Sequence, residues 1–164
     1  MARTRLRVGL DANVLIAGIR LPRWPHEVMR AAVRRQYDLV LPEQVVEEAQ
    51  RHLDREQRDA LDVFLSTSAA ELAPMPPVSA VRANIDLVRS EKDVPIALAL
   101  MAARVEVFVT NDRDFTDEGA VHRRFAASVD IMLPPVFLRD VAGWTSEEVE
   151  AIRNRGWEDM AAPG

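Results

Sequence analysis

Apolar positions along this chain recur with two periods, and the alternation between them lays out the elements. Short apolar runs closed by an acid or a turn former read as buried strands. Four stretches have that form: residues 5–10, Asp38-Leu39-Val40-Leu41, Val105-Glu106-Val107-Phe108-Val109-Thr110 and Val129-Asp130-Ile131-Met132-Leu133. Between them, apolar residues fall at the three-and-four spacing of helices that bury one stripe. Helices are expected over 12–19, 25–35, 42–53, 55–65, 78–89, 94–103, 119–127, 136–141 and 146–156. Pro22 and Pro25 break the first helix from the second, while Pro25 and Pro42 can each open a helix as an early residue. Asp54 can cap the helix that follows it, and Thr145 with Glu148 makes a capping-box pattern. The stretch Ala73-Pro74-Met75-Pro76-Pro77 reads as a loop, too short to separate domains.

Strands alternating with helices imply an α/β fold, doubly wound, with a mostly parallel central sheet flanked by helices on both faces. The 164 residues suit one domain. We expect it to span 1–142, with 143–164 a C-terminal helical extension rather than a second domain. A 48% hydrophobic and 29% charged composition is that of a globular protein. No apolar run is long enough to span a bilayer. Residues 1–7 are basic without the apolar run of a signal peptide, and the chain has no cysteine, which excludes disulfides and thiolate-bound zinc. A cytoplasmic location is the expectation from both.

Charge changes the picture only locally. A net charge of −5 gives no global attraction to nucleic acid. Yet all but one of the 21 basic residues are arginine, Lys92 being the exception. Guanidinium forks suit phosphate, although solvated helix faces use arginine as readily.

The candidate chemistry lies in acids at element ends. Asp11 ends the first strand, and taken alone it is as good an N-cap for the next helix. Glu48, with Glu47 beside it, lies in the helix after the second strand. Asp93 opens the most apolar helix. Asp112 follows the best strand after Thr110-Asn111, with Asp114 two residues on. In a parallel sheet Asp11 and Asp112 share the carboxyl edge, where open α/β sheets place ligands. Asp93 joins them if its helix start points that way. Carboxylates gathered together either hold protons or recruit a cation. Oxygen ligands without Cys or His suit Mg²⁺ or Mn²⁺, and such an ion suits phosphodiester hydrolysis.

The segments DANVLIAG, VLPEQVVEEAQR, KDVPIALAL, VFVTNDRDF and VDIMLPPVFL, in that order over about residues 5–140, resemble the PIN domain. The resemblance is nearest to the VapC-type toxins of bacterial type II toxin–antitoxin pairs. It implies a Mg²⁺- or Mn²⁺-dependent ribonuclease. The family's acids fall on Asp11, Glu48, Asp93 and Asp112, with Glu47 the alternative to Glu48. Asp11, Asp93 and Asp112 are the implied metal ligands; Asn13, Thr110 and Asp114 match supporting positions. Pro42 stands where a serine is frequent and Asn111 where small residues are common. Water activated by the ion would attack phosphorus in line and leave a 5′-phosphate, with Arg20, Arg23 or Arg113 holding flanking phosphates. The partners implied are RNA, a cognate antitoxin and a second copy in a homodimer, with no membrane. The rival expectation is a non-catalytic PIN-like scaffold that binds RNA or protein. Receiver, dehalogenase-type and dinucleotide-binding readings lack their lysine, second aspartate and glycine-rich turn respectively.

Overall fold

Val8 and Leu10 have no exposed surface because the strand that carries them lies at the middle of a sheet covered on both sides. The computed structural model describes residues 5–160; residues 1–4 and 161–164, the outer ends of the expected domain and extension, lie outside the described residues. Five strands pair in the order β3-β2-β1-β4-β5. They are β1 (Arg7–Leu10), β2 (Asp38–Pro42), β3 (Glu71–Ala73), β4 (Val107–Val109) and β5 (Asp130–Met132). Every pairing is parallel. Parallel strands buried on both faces need nearly continuous apolar sequence, and β4 supplies it with Val107, Phe108 and Val109, all buried.

Ten α-helices flank this sheet among the described residues, in an α/β/α arrangement. Helices α1 (Ala12–Arg20) and α2 (Trp24–Val33) connect β1 to β2, and α3 (Glu43–His52) and α4 (Arg55–Thr67) connect β2 to β3. The chain then passes α5 (Val78–Ala83) and α6 (Val94–Ala102) and returns across β1 to β4. After α7 (Arg113–Thr116) and α8 (Arg123–Ser128) come β5, α9 (Pro134–Asp140) and α10 (Ser146–Ala151). Connections therefore run outward in both directions from β1 and β4. The carboxyl ends of those two strands form the switch point at which open α/β sheets bind ligands. Gly9 lets α6 press close: a Cβ there would meet Leu100 Cδ2 at 2.8 Å and Phe108 Cδ1 at 3.3 Å.

The expected doubly wound sheet is present, with corrections at its margins. β3 is a strand that the pattern did not announce; it has three residues, two of them exposed, too few to show a period. The helix expected over 78–89 stops at Ala83, where the Asn84 side-chain amide donates to the Ala80 carbonyl at 2.7 Å. Leu87 and Val88 are buried instead by the returning loop, through an antiparallel bridge from Val88 to Val121. The helix expected over 119–127 begins only at Arg123, because His122 Nδ1 caps it by accepting from the Arg124 N–H at 3.0 Å. The last helix ends at Ala151 rather than 156.

From α10 onward the chain folds back onto the α1–α2 corner. The Trp24 indole N–H donates to the Val149 carbonyl at 2.7 Å, and the Trp157 indole N–H donates to the Arg20 carbonyl at 3.0 Å. Arg155 donates to the Pro22 carbonyl at 2.6 Å and to Glu27, a carboxylate almost wholly buried, at 2.7 Å. No helix among the described residues is long and apolar enough to cross a membrane.

Candidate metal centre

The backbone places the first acid. Asp11 N–H continues the sheet by donating to the Val109 carbonyl at 3.0 Å, so its side chain emerges at the carboxyl edge between β1 and β4. One carboxylate oxygen accepts from the Ala12 N–H at 2.8 Å and caps α1; the other accepts from the Thr110 hydroxyl at 2.7 Å. Asp11 is thus both the cap and a site residue. Thr110 is fully buried, and its hydroxyl also accepts from the Asp112 N–H at 2.9 Å. One hydroxyl therefore ties the acid after β1 to the acid after β4. Asp112 in turn accepts from the Asp114 N–H at 2.9 Å and caps α7.

Asp93 arrives from elsewhere in the chain, on the 3-10 turn Glu91–Asp93 that leads into α6. It is 6% exposed, as is Asp11, and its Oδ2 is buried with no hydrogen-bond partner among the described residues. A carboxylate oxygen without a partner is costly to bury. Asp93, Asp112 and Asp114 each offer one ligand atom, all within 4.8 Å of one another. Burial, with the charges of Asp112 and Asp11 added, pushes the Asp93 carboxyl up to about 7. Burial pushes Asp11 up to about 6, against the lowering by the Thr110 hydroxyl and the Ala12 N–H.

Helix α3 forms the facing wall. Four-residue spacing puts Gln44, Glu48 and His52 on one side of a helix. Glu48 and His52 line a cleft of about 240 Å³ that also takes in Asp11, Asp93 and Asp112. Gln44 reaches across to donate to the Lys92 carbonyl at 3.1 Å. Glu47, one residue and about 100° away around the helix, is exposed and does not line the cleft.

The expected residues divide accordingly. The structure brings Asp11, Asn13, Arg20, Glu48, Asp93 and Asp112 to one cleft. Thr110 lies beneath it, and Asp114 stands beside Asp112 while paired with Arg89 at 2.9 Å. Arg23 is engaged elsewhere, donating to the Arg155 carbonyl at 3.1 Å. Arg113 is exposed and pairs with Asp117 at 3.3 Å. Sequence reasoning passed over His52 and Lys92, which also line the cleft. The i+4 step from Glu48 was the available signal for His52, and adjacency to Asp93 the signal for Lys92.

Among solved structures, the chain is similar to PAE2754 from Pyrobaculum aerophilum, at 18% identity and TM-score 0.53, covering 87% of this chain and 100% of that one. It is also similar to VapBC2 from Rickettsia felis, solved bound to a DNA fragment from their promoter, at 18% identity and TM-score 0.55, covering 78% and 98%. The chain has the PIN-like α/β/α fold of these structures. No family model and no curated protein matches it. That fold is the expected α/β/α architecture.

Proposed function

We propose that this chain is a metal-dependent ribonuclease that hydrolyses RNA phosphodiester bonds, acting as the toxin of a toxin–antitoxin pair. The observation that carries the reading is the buried, unpartnered Oδ2 of Asp93 beside Asp112 and Asp114, at the edge that also holds Asp11. A donor set made only of carboxylate oxygens fits a hard divalent cation, Mg²⁺ or Mn²⁺. Asp11, Asp93 and Asp112 would hold it, with Glu48 directly or through water and Asp114 within reach. When bound, the cation lowers the pKa of water and stabilises charge building on a phosphoryl oxygen.

The remaining work belongs to the protein. Thr110 fixes the Asp11 carboxylate and the Asp112 backbone relative to one another, so the acids need no rearrangement when substrate enters. Glu48 has no hydrogen bond or ion pair among the described residues, which leaves its carboxylate open to accept a proton from the attacking water. With the 3′-oxygen leaving, the product carries a 5′-phosphate. Arg20, on the cleft wall, holds a flanking phosphate.

An antitoxin that covers the cleft, a homodimer and a cytoplasmic location complete the proposal; they follow from the VapC-like resemblance. The test is cleavage of structured and unstructured RNA by protein stripped with EDTA, with and without Mg²⁺ or Mn²⁺, beside Asp11→Asn and Asp93→Asn. Cleavage that requires metal and is lost in both variants is expected. If both variants cut RNA as well as wild type, the cleavage does not come from these carboxylates and the reading fails; if Mn²⁺ fails to raise the wild-type thermal midpoint, a binding scaffold replaces it.

A further inference from the structure

The nuclease reading gives the cleft residue Lys92 no role. Lys92 is the only lysine of the chain, set among arginines everywhere else. It directly precedes Asp93 and lines the same cleft. Its backbone is pinned: Gln44 on α3 donates to the Lys92 carbonyl at 3.1 Å, which holds the 91–93 turn against the wall carrying Glu48 and His52. Its ammonium makes no hydrogen bond or ion pair among the described residues. Of the neighbouring guanidiniums, Arg20 donates from one nitrogen to the His52 carbonyl and has other N–H groups left for phosphate, while Arg89 is held by Asp114 at 2.9 Å and Asp117 at 3.2 Å.

We propose that Lys92 anchors the phosphate adjacent to the scissile one. This inference rests on the nuclease reading. The choice of lysine has a physical reason. An arginine fork beside clustered carboxylates pairs with them bidentately and takes up the oxygens that a cation needs, whereas an ammonium is a compact point charge that stays hydrated. Lysine can sit next to Asp93 and still face incoming phosphate.

Phosphate contacts are read by salt. Binding of a short mixed-sequence single-stranded RNA is measured across a salt series with Mg²⁺ present. The background is Asp11→Asn, which removes cleavage; onto it are placed Lys92→Met, Lys92→Arg and, as a surface control, Arg123→Met. Loss of one phosphate contact lowers the slope of log affinity against log salt by about 0.7, which corresponds to about an eightfold loss at about 50 mM salt relative to 1 M. That loss is expected for Lys92→Met and not for Arg123→Met. Lys92→Arg retains the slope and, made alone in the wild-type chain, lowers the Mn²⁺-induced rise in thermal midpoint. An unchanged slope and affinity in Lys92→Met overturns the proposal. So does a Lys92→Met change, made alone in the wild-type chain, that abolishes the response to Mn²⁺, since Lys92 would then act through the acids. An Asp11→Asn protein that binds no RNA at any salt overturns the nuclease reading itself, a failure distinct from the others.

Discussion

At the scale of single residues, the site is a balance between burial and charge, and pH exposes it. Asp93 is pushed up to about 7 and Asp11 to about 6, both from an ordinary 3.8. Between about pH 4 and 7 the folded, cation-free protein holds protons that the unfolded chain has released. The stability these groups contribute is therefore complete below about pH 4 and lost as pH rises through about 7. His26, pulled below 6.5 by burial, works the other way and gains stability as pH rises. The clean observable is thus the difference between wild type and Asp93→Asn. In EDTA, urea unfolding should show the variant gaining on wild type from pH 5 to pH 8. The rise from 3.8 to about 7 bounds the gain at about 4 kcal/mol. Mn²⁺ should reverse the order by stabilising wild type alone; a gap that does not change with pH would mean Asp93 is charged in the folded protein. At this scale the sequence was legible where an acid sits at a strand end, as with Asp11 and Asp112. It was silent on the Thr110 hydroxyl's two bonds, because a side chain that joins residues 11 and 112 leaves no local pattern. It was ambiguous at Glu47 and Glu48, where only the helix's rotation decides which carboxylate faces the cleft.

Among elements, those that bury two faces could be read from the chain and those that bury almost nothing could not. β1, β2 and β4 are apolar runs, and α6 is buried around most of its circumference. β3 is an edge strand with two of its three residues exposed, and α7 exists because Asp112 caps a single turn. Leu87 and Val88 show the limit most clearly: their apolar character is real, but a loop contact consumes it rather than a helix stripe. The packing of α1 on α2 gives a prediction at this scale. Gly18 faces the start of α2 so closely that a Cβ would lie 3.1 Å from the His26 nitrogen and 3.1 Å from the Pro25 carbonyl carbon. Both are backbone atoms and cannot rotate away. Glycine inside a helix ordinarily costs stability relative to alanine, so a Gly→Ala change on an open helix face would help. Here Gly18→Ala should lower stability by about 1–3 kcal/mol by overpacking, measured by urea unfolding. A stabilised variant would show that the two helices separate freely.

For the whole molecule, the question is what the residues after α9 contribute, since the resemblance to the PIN domain ends near residue 140. We propose that they are an integral part of the domain. Val149 and Ile152 are each 8% exposed, and Trp24, Glu27 and Arg20 all have a hydrogen-bond partner in this segment. Arg153 lies 4.8 Å from the centre of the Trp24 ring. Three of the interactions that hold α1 against α2 at their shared corner thus come from the far end of the chain, and that corner carries Arg20 into the cleft. A chain ending at Ala142 loses the burial of two branched aliphatic side chains, at about 1.5–3 kcal/mol each. It also leaves the Glu27 carboxylate with Arg30 alone, at 3.0 Å. For a domain of this size each kcal/mol moves the thermal midpoint by about 2–4 °C, so truncation should lower it by about 10 °C or more. Arg155→Met separates the two contributions, because it removes one partner from a buried carboxylate while keeping the aliphatic contacts. Its drop should be smaller than that of the truncation and should vanish as pH falls below the range in which Glu27 is ionised, since the pairing with Arg155 and Arg30 holds Glu27 below its ordinary 4.5. A truncated chain with an unchanged midpoint and unchanged RNA cleavage would make the segment an appendage, and the α1–α2 corner would then owe its shape to Gly18 and the sheet alone.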